Sequence, residues 1–125
     1  MRRPALWAVL VLSAIVVIGV WVQVYLIASY FFGADALSAH EDVGGIVHLI
    51  EVLIFLVGIA AWWKNWPMVA TGFALAVIGT LQLSFADGDD WVGGLHGLFA
   101  LIVLTIAVHL AIRAWRDLQT GVATA

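Results

Sequence analysis

An all-α fold, an integral membrane four-helix bundle with N- and C-termini cytoplasmic, is predicted by three observations. Of the 125 residues, 65% are hydrophobic and only 10% are charged, and the mean hydropathy of +1.12 lies far above that of a soluble domain. The apolar residues come in long continuous runs rather than in alternation, so the backbone must satisfy its own hydrogen bonds as helices and not as a barrel. All five basic residues, Arg2, Arg3, Lys64, Arg113 and Arg116, fall at the N-terminus, the second connection or the C-terminus. These sites share one side of a four-span protein, the cytoplasmic one by the positive-inside rule.

A single domain, residues 1–125, is expected, with spans at about 6–32, 40–63, 67–86 and 91–113, each near the roughly 20 residues needed to cross the hydrocarbon. The chain is expected in the bacterial inner membrane as a multi-pass protein, with the lipid bilayer as its first partner and no nucleic acid. The first span begins like a secretory signal, MRRPALWAVLVLSAIVV, but its apolar run exceeds the ~7–15 residues of a signal core, and it is read as a retained span. It ends at Tyr30-Phe31-Phe32 and Gly33, aromatics at interfacial depth followed by a helix stop. Span two opens with Ser38-Ala39-His40-Glu41, a capping-box pattern. Trp62-Trp63-Lys64-Asn65-Trp66-Pro67 forms the inner turn, its tryptophans at the interface and Pro67 suited to a first helical position. Asp87-Gly88-Asp89-Asp90 forms the outer turn, too short for a calcium loop and read as a cap and solvated turn.

Six of the eight acids, Asp35, Glu41, Asp42, Asp87, Asp89 and Asp90, lie on the outer side, leaving Asp117 inside and Glu51 within span two. There are no cysteines, which removes disulfides, thiolate metal sites and a cysteine nucleophile. Any chemistry therefore rests on the few polar side chains inside the bundle or at its rims. The segments DVGGIVH (42–48) and WVGGLH (91–96) resemble each other, and spans one and three each carry a lone glutamine, Gln23 and Gln82. The chain reads as two helical hairpins of related design.

Ionisable groups within a membrane are costly and usually face the interior, where they mark a function. At about 100° per residue, His40, Gly44, His48, Glu51 and Phe55 share one side of span two, and Gly93, His96, Gly97, Ala100 and Leu104 form a comparable face on span four. His109 belongs to the cytoplasmic rim. His48 follows Asp42 by six residues and His96 follows Asp90 by six, so the two are expected to face each other at one depth. Two neutral imidazoles approaching from opposite sides give a six-coordinate haem suited to electron transfer. Gly44, Gly93 and Gly97, with Gly45 and Gly94, would clear space for the ring. The plainer reading is that Gly93 and Gly97, spaced as GxxxG, are helix-packing contacts, that His40 is a solvated interfacial residue, and that a membrane histidine is an interhelical hydrogen-bond donor. Glu51 either orients the free ring nitrogen of His48 or carries a proton on a proton or quinol path.

Four features together, Gln23 in Val-Gln-Val-Tyr-Leu, His40 to Gly44 as His-x-x-x-Gly, Gln82 in span three and Gly94-Leu95-His96, resemble a family of small four-span bacterial proteins of unknown function, common in actinobacteria. More distantly the chain is similar to one half of haem A synthase, or to a small b-type cytochrome. The resemblance implies haem b held by His96 of span four and His40 of span two, whereas the depth argument selects His48. Two of the three histidines are expected to be ligands. In the haem A synthase pattern an arginine follows the span-two histidine, but here Glu41 follows His40, so the outer rim offers propionates no cation.

The expected function is electron transfer by a bis-histidine haem between a quinone or other membrane partner and a basic redox partner attracted to the acidic outer rim. Two rivals stand beside it: a cofactor-free accessory or assembly subunit of a larger membrane complex, and a proton or cation carrier using Glu51 and the histidines; a larger membrane complex or a homo-oligomer of this chain is a further expected partner. Whether any catalysis occurs is left open.

Overall fold

The computed structural model describes residues 2–123 and is all-helical: α1 (Arg2–Phe31), α2 (Leu37–Ala61), α3 (Trp66–Ser84) and α4 (Asp90–Ala123). Each helix is long and apolar enough to cross a membrane. The four pack in ring order, α1 against α2 and α4, and α3 against α2 and α4, which places α2 and α4 on one diagonal of the bundle.

The seam of the bundle follows a heptad-like spacing. Buried residues fall at Leu6, Val9, Ser13, Val16 and Val20 of α1, at Val47, Glu51, Ile54, Gly58 and Ala61 of α2, and at Met68, Val69, Gly72, Leu75, Ala76 and Gly79 of α3. On α4 they are Val103, Ala107, Leu110, Ala114 and Leu118. Steps of three and four residues keep one stripe of each helix turned inward. Small residues in that stripe draw α3 close to α2: a Cβ on Gly72 would stand 3.4 Å from the Phe55 Cα. Outside the seam the bundle is apolar all round, with Ile18, Trp21, Leu49, Leu56 and Phe73 exposed. An apolar surface this continuous far exceeds what a monomer in water tolerates, and lipid is the solvent that suits it.

The connections are short and show why each helix stops. Gly33 takes φ +94°, its N–H reaches the Tyr30 carbonyl at 3.0 Å, and the Ala34 N–H reaches the Ser29 carbonyl at 3.0 Å. This paired closure needs a left-handed residue, which glycine supplies without a Cβ clash. The inner turn instead places Lys64 at φ 71°. Pro67 lies in the first turn of α3, where a missing N–H costs nothing.

Two expectations are corrected. Ser38 and Glu41 do not form a capping box: α2 starts at Leu37, its N-cap is Ala36, and no side chain caps it. Trp62 is not an interfacial residue like Trp63 and Trp66, each 65% exposed; it is 1% exposed, and its indole Nε1–H donates to Asp117 Oδ2 at 2.8 Å. The α4 helix makes this contact by running on well past residue 113.

The ends of the bundle carry opposite charge. Asp35, Glu41, Asp42, Asp87, Asp89 and Asp90 lie exposed at one end. The five basic residues lie at the other, where Asp117 is held by Arg113 at 3.1 Å and Arg2 at 3.6 Å.

Candidate functional site

Two polar clusters interrupt the apolar interior, and three of the four histidines build them. The outer cluster joins all four helices. On α2, His40 points its Nδ1 at the main-chain carbonyl of Gln23 on α1, 3.2 Å away, and the Gln23 side-chain amide donates back to the His40 carbonyl at 2.8 Å. On α4, His96 points its Nδ1 at the main-chain carbonyl of Gln82 on α3, 2.9 Å away. A carbonyl oxygen can only accept, so in both rings Nδ1 carries the hydrogen. In the neutral imidazole this leaves each Nε2 with its lone pair free.

The two rings adjoin across the diagonal of the bundle, with centroids 6.2 Å apart and planes inclined at 62°. The same device thus recurs in both hairpins: the lone glutamine of the first helix receives the histidine near the start of the second. Gln23 adds an acceptor, because its Oε1 is buried without a hydrogen-bond partner. The outer cluster thus holds two imidazoles and one buried amide oxygen without a partner.

The inner cluster lies deeper on α2. His48 is not opposite His96. Its Nδ1 meets Glu51 Oε2 at 3.1 Å and its Nε2 meets Thr80 Oγ1 of α3 at 3.4 Å. The counting from Asp42 misplaced it because α2 begins at Leu37, so His48 lies three turns into its helix, about 16 Å along the axis, whereas His96 lies about 9 Å into α4. His40, about 5 Å into α2, is the histidine brought to His96. Glu51 is 2% exposed and occupies a seam position. Gly79 makes that possible, since a Cβ there would collide with Glu51 Oε2 and stand 2.9 Å from His48 Nδ1. Gly79 carried no signal in the sequence beyond its small size.

The glycines singled out from the sequence differ in their surroundings. A Cβ on Gly44 would meet Gln23 Nε2 at 3.0 Å, so Gly44 seats the glutamine. A Cβ on Gly93 would run into the Gly88 carbonyl, so Gly93 belongs to the outer turn. Gly45, Gly94 and Gly97 face open space. His109 is exposed on α4, four residues before Arg113.

Among the described residues no three or more His, Asp, Glu or Cys side chains are grouped to hold a metal ion. Two imidazoles alone are a meagre site for a bare cation. They are a sufficient protein contribution for an iron whose remaining four positions come from a porphyrin. Comparison with protein-family models, curated proteins and solved structures finds no match for this chain.

Proposed function

We propose that the chain is a multi-pass protein of the bacterial inner membrane that binds haem b through His40 and His96 and passes electrons, with its basic end and both termini cytoplasmic. The observation that supports this most is the outer cluster: two imidazoles from diagonal helices, 6.2 Å apart, each with Nδ1 tied to a carbonyl of the neighbouring helix. Hydrogen-bonding of the distal ring nitrogen fixes the tautomer and the orientation of a ligating histidine and raises its basicity. Haem held through these two nitrogens would supply reversible one-electron chemistry, which suits electron transfer.

The chain's own residues have three tasks in this reading. Gln23 and Gln82 hold the two rings in register through their carbonyls. Gln23 Oε1 offers an acceptor to a ligand hydrogen or propionic acid, in a rim without a cation. The six exposed acids at this end favour approach of a basic soluble partner, and a quinone is the partner expected from the lipid.

A second reading keeps one specific support. Each histidine already staples two helices together, Gln23 to His40 and Gln82 to His96, as a cofactor-free accessory subunit of a larger complex would also require. Polar interhelical contacts of this kind hold membrane bundles. A reduced-minus-oxidised optical spectrum of the purified full chain separates the two. Sharp α and β bands support the haem reading, and a colourless protein from haem-replete cells supports the second.

A further inference from the structure

The inner cluster is not used by the outer pair, and its hydrogens can be counted. Thr80 Oγ1 donates its single hydrogen to the Ala76 carbonyl at 2.9 Å. With that hydrogen so directed, the Thr80 oxygen faces His48 Nε2, 3.4 Å away, as an acceptor, the arrangement that matches a hydrogen on Nε2. The 3.1 Å contact between His48 Nδ1 and Glu51 Oε2 needs a hydrogen of its own, since a bare imidazole nitrogen and a carboxylate oxygen would both be acceptors. The two side chains then carry two hydrogens between them and no net charge.

We infer that His48 and Glu51 form an intramembrane proton-binding site, which holds one dissociable proton between Nδ1 and Oε2. Three observations converge on it. Glu51 sits in the seam at 2% exposure, where a carboxylate without a compensating proton or cation is strongly disfavoured. Gly79 removes the side chain that would otherwise fill the space of the carboxyl. Among the described residues no other charged or titratable group reaches the pair: α1 and α4 bring none within hydrogen-bonding or ion-pairing distance, and α3 brings only the Thr80 hydroxyl. A proton is the occupant that fits, because Nδ1 and Oε2 stand at hydrogen-bonding distance, 3.1 Å, and among the described residues no third His, Asp, Glu or Cys joins them to complete a metal site. His48 lies eight residues beyond His40, about 12 Å along α2 toward the basic end. The inference stands whether or not a metal binds at the outer pair.

The test is a count of hydrogens in the full chain, with ¹⁵N-labelled histidine, in phosphatidylglycerol bilayers at pH 7. Solid-state NMR reads the protonation of each His48 nitrogen, with the signals assigned by their loss in His48→Gln. Infrared difference spectra against Glu51→Gln read whether the carboxyl is protonated. The expected result is a hydrogen on Nε2 and a second one on either Nδ1 or the carboxyl. Thr80→Val should keep that second hydrogen while altering only the Nε2 signal. A carboxylate beside a ring with one protonated nitrogen, a total of one hydrogen, would overturn the inference. So would an Nδ1 signal unchanged in Glu51→Gln. If Glu51→Gln does not fold, the count in the wild-type chain, with its carboxyl identified by ¹³C-glutamate labelling, decides alone.

Discussion

Replacing Gly79 by alanine isolates the packing on which the inner cluster depends. The added Cβ would collide with Glu51 Oε2 and lie 2.9 Å from both Glu51 Cδ and His48 Nδ1. Forcing a methyl into a filled seam costs about 1–3 kcal/mol. Displacing the carboxyl from His48 leaves a buried polar group without its partner, a further ~1–3 kcal/mol. Alanine recovers up to about 1 kcal/mol over glycine in helix preference. The balance is a destabilisation of about 1–6 kcal/mol, the sum of these terms. Gly45→Ala is the control, because nothing lies within 4 Å of its Cβ, and it should be neutral or slightly stabilising. The assay is reversible unfolding by dodecyl sulfate in mixed micelles, followed by far-ultraviolet circular dichroism. In a Glu51→Ala background the carboxyl is gone and only His48 Nδ1 remains close to the new Cβ, so Gly79→Ala should cost clearly less than in the wild type, as expected for two mutations that share one contact. Equal stability of Gly79→Ala and Gly45→Ala in the wild-type background would refute the reasoning.

Other substitutions probe the rest of the bundle by the same assay. Trp62→Phe keeps an aromatic ring but removes the indole donor to Asp117, and should cost about 1.5–3 kcal/mol, the range for a hydrogen bond to a charged group. An unchanged midpoint would show that Arg2 and Arg113 suffice to hold Asp117. Ser13 is fully buried and its Oγ has no partner, so Ser13→Ala should be neutral or stabilising by up to about 1 kcal/mol. A clear loss of stability would mean that the hydroxyl is bonded. Gly44→Ala would press on Gln23 Nε2, 3.0 Å from the new Cβ, and should loosen the amide's bond to the His40 carbonyl, seen as faster exchange of that amide's hydrogens.

The sequence made the helices legible because lipid imposes a simple rule: continuous apolar runs must be helical, and their ends are marked by aromatics, charges and turn residues. Tyr30-Phe31-Phe32-Gly33 stopped α1 where expected, and the basic and acidic residues separate to opposite ends of the bundle. The interior was less legible. Which histidine meets His96 depends on where α2 starts, and a boundary displaced from Asp42 to Leu37 moves His48 by more than a turn. The roles of the glycines depend on neighbours distant in sequence, Gly44 on Gln23 and Gly79 on Glu51, and no local pattern reports those. Asp117 was hidden for a different reason. Its partners Trp62 and Arg2 come from two other helices, and the spacing of Arg113 and Asp117, four apart on one helix face, was its only local signal.

The paired glutamines and histidines show how the two kinds of information meet. Gln23 and Gln82 stood out as single polar residues in apolar spans, and the repeat around His48 and His96 suggested related hairpins. The structure pairs each glutamine with a histidine through the main chain, but the partner in the first hairpin is His40. His40 is the histidine that the His-x-x-x-Gly resemblance favoured, and His48 is left to Glu51 and Thr80.

The central claim, haem held by His40 and His96, is tested most directly by the optical spectrum of the full chain purified from haem-replete cells, beside three single variants. A Soret band with sharp reduced α and β bands is predicted for the wild type, lost or converted to a five-coordinate form in His40→Ala and in His96→Ala, and unchanged in His48→Ala. A colourless wild-type protein, or six-coordinate spectra that survive both His40→Ala and His96→Ala, would contradict it.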